Sequence, residues 1–370
     1  MTKPLCPYFD RCGGCTLQKL PYEAQIEGKK KRFASAISFD SIKVFSGSTY
    51  SYRNRMDMLF HPGGLGLRQR GRWQNIIDVE RCAIADDGIN SLIGEIRGFF
   101  TGVDAFDIKR HTGTFRYAVI RTANRDSSVS FVLNDSSARL ADAIAQIKEF
   151  AEKASANNII VTRVPPDSDL SVYDDYFVVK GKDMISEVYL GRRLWYNVQG
   201  FFQNNHGMAE RMHEYCQGVL QGYETRQACL LDLYGGVGCF GIINANLFKN
   251  VTIVEEFKQA VDAANVNIRE NMAGNVKAVQ LDARQLRRLT LPGQLFVITD
   301  PPRSGMDPKA IQQLNALKPE AIIYVSCNIR QLAKDIPKFR GYRIRSAALF
   351  DFFPQTPHSE AVVELVGPEQ

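Results

Sequence analysis

From residue 201 onward the chain repeats one rhythm: a short apolar run, then a longer stretch with apolar positions at helical spacing. The runs are Cys229–Tyr234, Val251–Glu255, Lys277–Leu281, Leu295–Thr299 and Ala321–Ser326. Continuously apolar strands that alternate with helices predict a parallel sheet covered on both faces. Two further runs, Arg343–Phe350 and Glu360–Val366, have no long helix between them. They predict an antiparallel end to that sheet.

Upstream the pattern changes. Across 86–200, Tyr117–Thr122 and Val129–Asn134 read as paired strands, Ala138–Lys153 has helical periodicity, and Pro165-Pro166-Asp167 marks a turn. Across 1–85 the clearest feature is a glycine-rich patch, Gly63 to Gly71, which predicts a hairpin or loop with projecting arginines. The predicted fold is therefore α/β in three segments: 1–85, a central α+β portion 86–200, and a Rossmann-like sheet 201–370. No internal repeat or low-complexity tract interrupts it.

Composition adds two constraints. With 370 residues, 45% of them apolar, the chain can bury a sizeable core. No run approaches the roughly 18 apolar residues that span a bilayer, and Met1 to Phe9 lacks a signal-peptide pattern. The expected setting is the cytoplasm, with no membrane partner. Charge is uneven: residues 1–75 carry 13 Lys or Arg against 5 Asp or Glu, although the whole chain is only +6. A basic front end on a near-neutral body suits a polyanion such as RNA; an ordinary solvated basic face is the plainer alternative.

The eight cysteines are also uneven. Cys6, Cys12 and Cys15 crowd the start, Cys82 follows, and Cys216, Cys229, Cys239 and Cys327 are scattered later. In a cytosolic chain this argues for metal or catalytic use rather than disulfides. Cys216, Cys229 and Cys239 read as small buried apolar residues.

Ligands of doubly wound sheets sit beyond the carboxyl ends of the strands. There the chain places Asp232-Leu233-Tyr234-Gly235-Gly236-Val237-Gly238, then Glu255, Asp282 and Asp300. The glycine spacing is not that of a dinucleotide site. Carboxylates at successive strand ends suit ribose hydroxyls and a cationic sulfonium, which describes S-adenosylmethionine. The plainer reading is a glycine turn with acids that cap helices.

Asp300-Pro301-Pro302-Arg303 forms a rigid loop in the same crevice, a feature shared with enzymes that methylate exocyclic amines. Cys327 follows a strand and precedes a helix beginning near Asn328, where a macrodipole favours thiolate. A thiolate there suits methylation of uracil carbon 5: attack at carbon 6 makes carbon 5 nucleophilic, and a base must then remove its proton. Glu360, in Thr356-Pro357-His358-Ser359-Glu360, begins the last strand and is the candidate base. A strand-capping glutamate is the alternative.

These residues resemble the RNA 5-methyluridine methyltransferases, a uridine-modifying branch of the class I methyltransferases. The resemblance runs essentially end to end. It rests on Phe201-Phe202-Gln203-Asn204, the Asp232–Gly238 turn, Asp300-Pro301-Pro302-Arg303, Ser326-Cys327-Asn328 and the Glu360 segment, in the family's order. It implies Cys327 as nucleophile and Glu360 as base. It implies Gln203, Tyr234, Glu255, Asp282 and Asp300 in the cofactor pocket, with Gln203, Asp300 and Arg303 near the uracil. Cys6-x5-Cys12-Gly13-Gly14-Cys15 with Cys82 resembles the [4Fe-4S] site of the cluster-containing members; zinc is the rival ligand of four thiolates.

Two departures stand out. Many members begin with a β-barrel RNA-binding domain, for which the position of Cys6 leaves no room, so RNA capture is expected of Arg53, Arg55, Arg68, Arg70 and Arg72. Many have cysteine where this chain has Gly235. A cluster without the barrel resembles the members acting on 23S ribosomal RNA, which is the expected target for a monomeric enzyme. A transfer RNA T-loop uridine is the alternative, and an amine methyltransferase or a non-catalytic RNA-binding factor are the rivals from other classes.

Overall fold

The computed structural model describes residues 2–367; residues 1 and 368–370, the outermost of the first and last expected segments, lie outside that range. In chain order the first strands are β1 (Ile42–Phe45), β2 (Arg55–His61), β3 (Gly64–Gln69), β4 (Arg72–Asp78), β5 (Phe115–Ala123) and β6 (Asp126–Asn134). Next come β7 (Asn158–Val164), β8 (Tyr176–Lys180), β9 (Met184–Tyr189) and β10 (Arg192–Asn197). The C-terminal half supplies β11 (Cys229–Leu233), β12 (Asn250–Glu255), β13 (Val276–Gln280), β14 (Leu295–Thr299), β15 (Ala321–Ser326), β16 (Arg343–Phe350) and β17 (Glu360–Val366). The helices are α1 (Tyr22–Ile37), α2 (Asp87–Phe99), α3 (Leu140–Lys153), α4 (His206–Gln221), α5 (Cys239–Ile243), α6 (Lys258–Glu270), α7 (Pro308–Leu317) and α8 (Ile329–Asp335).

Among the described residues, eight strands form one sheet in the order β1-β16-β17-β15-β14-β11-β12-β13. Strands β11 to β15 are mutually parallel, and β17 runs antiparallel to both β15 and β16. Leu231, Leu233, Val297, Ile322 and Tyr324 face a layer containing α1, α7 and α8, with Phe33, Ile311, Leu314 and Leu332 in its core. Leu230, Ile253, Phe296, Ile323 and Val325 face the opposite layer, with Met212, Phe240 and Ala263 from α4, α5 and α6. Burial on both faces explains why these strands read as unbroken apolar runs.

A second sheet has the order β4-β3-β2-β5-β6-β7-β8. Its strands alternate: Met56, Met58 and Phe60 of β2 point inward while Arg55, Asp57 and Leu59 are half-exposed. The inward face packs under α2 and α3 around Phe60, Phe100, Phe131 and Phe150, with Phe131 ring centroids 5.0 Å from Phe100 and 5.6 Å from Phe150. The glycine-rich patch is the β3–β4 hairpin.

This topology redraws the expected segments. The cut at residue 85 falls inside the second sheet, because β2, β3 and β4 precede it and β5 pairs directly with β2. Residues 22–45 join the C-terminal sheet instead, where β1 extends it beside β16. The β9–β10 hairpin also packs there, against α6. Local pattern along the chain suggested the boundary at 85, whereas strand pairing between distant segments decides it.

Candidate active site

The sheet order sets the ends of β14, β11, β12 and β13 side by side, and each end carries a residue singled out above. Tyr234 leaves β11 in the left-handed region (φ 59°), opening a turn that ends at Gly238 (φ 87°). A Cβ on Gly235 would lie 2.7 Å from Ile253 and 3.0 Å from the Asp232 carboxyl carbon. Cysteine at this position would overpack unless Ile253 also changed. Asp232 is buried and accepts the Gly241 N–H at 2.8 Å. It pins the turn to the strand, and burial pushes its carboxyl up to about 7.

Glu255 accepts the Gly236 N–H at 3.0 Å through one oxygen. Its other oxygen accepts the N–H groups of Glu256 and Phe257, at 2.8 and 3.0 Å. The carboxylate is thus held at the lip of the turn, where a ribose would meet it. Asp282 behaves differently. It caps the 3-10 turn at 283–288, accepts the Arg284 N–H at 2.8 Å and pairs with the Arg284 guanidinium, which holds its carboxyl below the usual range. The helix-capping alternative describes what Asp282 does here.

Strands β14, β15 and β17 are neighbours, and their ends bring the remaining candidates together. The Cys327 thiol lies in the fields of Glu360, Asp300 and Arg303. Burial pushes it up to about 11, reinforced by the two carboxylates and opposed by Arg303. Glu360 is only 5% exposed; burial, then Asp300, hold it well above the usual carboxylate range, again opposed by Arg303. Burial also raises Asp300 to about 7. The Asn328 side chain donates to the Arg303 carbonyl at 2.9 Å, tying the proline loop to the cysteine turn.

The expectation that a helix end would lower the Cys327 thiol is therefore corrected. The following helix α8 has only seven residues, and the leading influence on the thiol is burial, with Glu360 and Asp300 adding to it. Two buried acids with raised pKa also cost stability. Asp300 folds protonated at acidic pH and must either keep its proton or ionise in a poor medium as pH rises. Stability from this group is thus full below the unfolded value and lost as pH rises through about 7. Asp300→Asn should melt at a higher temperature than the parent at pH above 7, with the gap closing on acidification toward about pH 4. Equal melting curves at all pH values would contradict this.

Gln203 is half-buried, between Phe201, which is 72% exposed, and Asn204, whose carbonyl accepts the Asn54 N–H at 3.2 Å. Asn204 also lines a cavity of about 410 Å³ that carries Cys6, Cys12, Cys15 and Cys82. The N-terminal cysteine segment docks on β3, with Gly13 N–H to Arg68 O at 3.0 Å and Arg70 N–H to Arg11 O at 2.8 Å. Burial pushes the Cys15 thiol up to about 12, and the neighbouring thiols add to the shift. Among the described residues no three His, Cys, Asp or Glu side chains converge as a site for one metal ion.

The five arginines expected to capture RNA do not form one free patch. Arg55 is engaged bidentately by Asp57 at 2.8 and 3.0 Å, and Arg68 by Asp169 at 2.7 and 2.8 Å. Arg53 donates to the Arg55 carbonyl at 2.7 Å. Arg70 and Arg72 remain exposed at the β3–β4 tip, beside Trp73 at 55% exposure. Lys29, the first residue of the run Lys29-Lys30-Lys31-Arg32, is fully buried and paired with Asp351. Its signal was present in the chain: Gln25, Lys29, Phe33 and Ile37 share the buried stripe of α1 at a spacing of four.

A family model described as tRNA (Uracil-5-)-methyltransferase matches residues 21–367. The chain belongs to this family. It is 32% identical to the tRNA (uracil(54)-C(5))-methyltransferase of Pyrococcus abyssi, over 98% of this chain and 86% of that protein. It is 30% identical to an uncharacterized RNA methyltransferase of Caldanaerobacter subterraneus, over 98% and 83% of the two chains. The crystal structure of the Pyrococcus abyssi enzyme in complex with S-adenosyl-L-homocysteine superposes with a TM-score of 0.81. That match covers 96% of this chain and 86% of that one, at 29% identity.

As a member of the family, the protein is an S-adenosylmethionine-dependent RNA uracil-C5 methyltransferase. The glycine turn and the Glu255 lip fit that methyl donor, since they offer close backbone approach and a fixed carboxylate without a pyrophosphate cradle. The Pyrococcus abyssi relative is named for uracil 54 of transfer RNA, which favours the transfer RNA alternative over the expected 23S ribosomal RNA. No helix among the described residues is long and apolar enough to cross a membrane.

Proposed function

We propose that this enzyme methylates a transfer RNA uridine at the position called 54 in its relatives, through a covalent adduct on Cys327 with Glu360 as the base. The observation that carries this reading is electrostatic contact: the Cys327 thiol feels Glu360, Asp300 and Arg303 at three adjacent strand ends.

Each residue has a defined task. The positive charge of Arg303 favours the ionised form of the thiol against the pull of burial. The Cys327 sulfur attacks carbon 6 of the uracil, and the displaced π electrons pass to carbon 5 and the oxygen on carbon 4. The cofactor supplies an electrophilic methyl, which the enolate carbon 5 takes up. The Glu360 carboxylate then removes the carbon 5 proton, for which its raised pKa makes it a competent base. Those electrons re-form the 5,6 double bond and expel the Cys327 thiolate. Asp300 borders this space; Gln203 would reach the base from the segment before α4, where exposed Phe201 offers a face on which an unstacked base can rest.

Cys6, Cys12, Cys15 and Cys82 line one cavity, which supports reading them as a common thiolate set for a [4Fe-4S] cluster. Cys6, Cys12, Cys15 and Cys82 would hold the cluster, whose role there is to staple the N-terminal segment to β3.

The hairpin tip supplies RNA contact. Arg72→Ala should weaken RNA binding uniformly and lower the slope of log affinity against log salt by about 1. Trp73→Ala should raise the RNA Kd about tenfold through lost stacking. Both are read by RNA-binding titrations across salt concentrations, and unchanged slopes and affinities would remove the tip from the interface. The target is tested by mapping 5-methyluridine in cells lacking the protein. Loss from the transfer RNA T-loop supports the proposal, while loss confined to ribosomal RNA overturns it.

A further inference from the structure

The loop between β16 and β17, residues 351–359, leads to Glu360, and beyond the Asp351 N–H to Phe45 and Phe352 N–H to Phe350 bonds much of its anchoring comes from outside its own sheet. Lys29 of α1 donates to an Asp351 carboxylate oxygen at 2.5 Å and to the Phe353 carbonyl at 3.1 Å. Both charged side chains are wholly buried. Tyr22 donates to the second Asp351 oxygen at 2.8 Å. One turn along the same helix face from Lys29, Gln25 reads Gln355 in both directions. Its amide nitrogen donates to the Gln355 side-chain oxygen at 3.0 Å, and its oxygen accepts the Gln355 N–H at 3.1 Å. Gln355 is buried with φ at 67°, a left-handed conformation that a non-glycine residue keeps only when its surroundings impose it.

We propose that Gln25 and Lys29 are positioning residues for the base: the buried stripe of α1 clamps both ends of the 351–355 segment and thereby sets where Glu360 stands relative to Cys327. The inference rests on the reading of Glu360 as the base. Two features argue for positioning over simple stabilisation. A buried ion pair is a poor source of stability compared with apolar residues of similar size, so its value lies in fixing one geometry. The strained Gln355 is stationed five residues before Glu360, and its side chain and N–H are both engaged by one glutamine.

A displaced base has a distinctive chemical consequence. Attack by Cys327 and methyl uptake do not require Glu360, but loss of the carbon 5 proton does. A mispositioned base therefore halts the reaction at the methylated adduct, with RNA still bonded to sulfur. The test uses Gln25→Met and the double variant Lys29→Met/Asp351→Asn, which removes the pair without leaving either charge buried alone. Each is mixed with unmodified transfer RNA and S-adenosylmethionine, and turnover, denaturant-resistant protein–RNA adduct and thermal midpoint are measured together, with Glu360→Gln alongside.

The expected result is turnover reduced at least about tenfold with adduct accumulating as it does in Glu360→Gln, at temperatures where each variant is folded. Folded variants with parental turnover, or with turnover lowered and no adduct gain, overturn the proposal. So does failure of both variants to fold, which would make α1 a support of the whole fold. If Glu360→Gln itself gathers no adduct, the assignment of the base fails instead, and the two failures are distinguishable.

Discussion

Cys327→Ala is expected to abolish uridine methylation, with kcat falling by about 10⁴-fold or more, equivalent to about 5 kcal/mol of transition-state stabilisation. Without sulfur at carbon 6, carbon 5 of uracil stays a weak nucleophile, and no other group in the crevice can take that role: Asp300 and Glu360 are acids, and Arg303 is a cation. Cofactor affinity should be retained, because the glycine turn and Glu255 lie at β11 and β12 while Cys327 ends β15. Titration of S-adenosylmethionine against the variant checks this separation. Methylation at a tenth of the parental rate would rule out the covalent route.

Glu360→Gln is expected to fail at a later step. Its kcat should fall by about 10²- to 10⁴-fold, and the protein should become loaded with RNA that survives denaturation. The pH profile carries the same information. The thiol is pushed up to about 11 and Glu360 is held well above the carboxylate range, and both act in their ionised forms. A raised pKa means that acidification removes the active forms, so parental kcat/KM should keep climbing with pH toward about 11. In Glu360→Gln one titrating group is gone, and the rise should be shallower. A profile identical to the parent's would show that Glu360 does not titrate in the rate-determining step.

Local pattern carried much of the fold. Arg343–Phe350 and Glu360–Val366 were legible to the residue, and β11 to β15 lie within about one residue of the apolar runs read from the chain, because short apolar runs bounded by turn and helix signals mark strands. The association of Asp300, Cys327 and Glu360 could be anticipated from strand ends alone, since β14, β15 and β17 are neighbours once the last strand turns back. Long-range pairing was hidden. Nothing in Ile42–Phe45 announces a partner in Arg343–Phe350, some 300 residues later. Lys29 was concealed by three charged neighbours, although its spacing from Phe33 placed it on an apolar face. The state of the Cys327 thiol was misjudged because a helix dipole can be read from sequence, whereas burial among acids cannot. Asp282 shows how a carboxylate at a strand end can also serve as a cap, here for the turn that begins at Ala283, with Arg284 two residues on as its partner.

The most direct measurement places 5-fluorouridine at the target position of a transfer RNA T-arm and incubates it with the enzyme and S-adenosylmethionine. Fluorine cannot leave carbon 5 as a proton does, so Glu360 has nothing to remove and the sulfur stays bonded to carbon 6. After denaturation and proteolysis, mass spectrometry should find the peptide containing Cys327 bearing the nucleotide and one added methyl group. An RNA that washes free of the denatured protein, or a nucleotide attached to any other residue, would contradict the account.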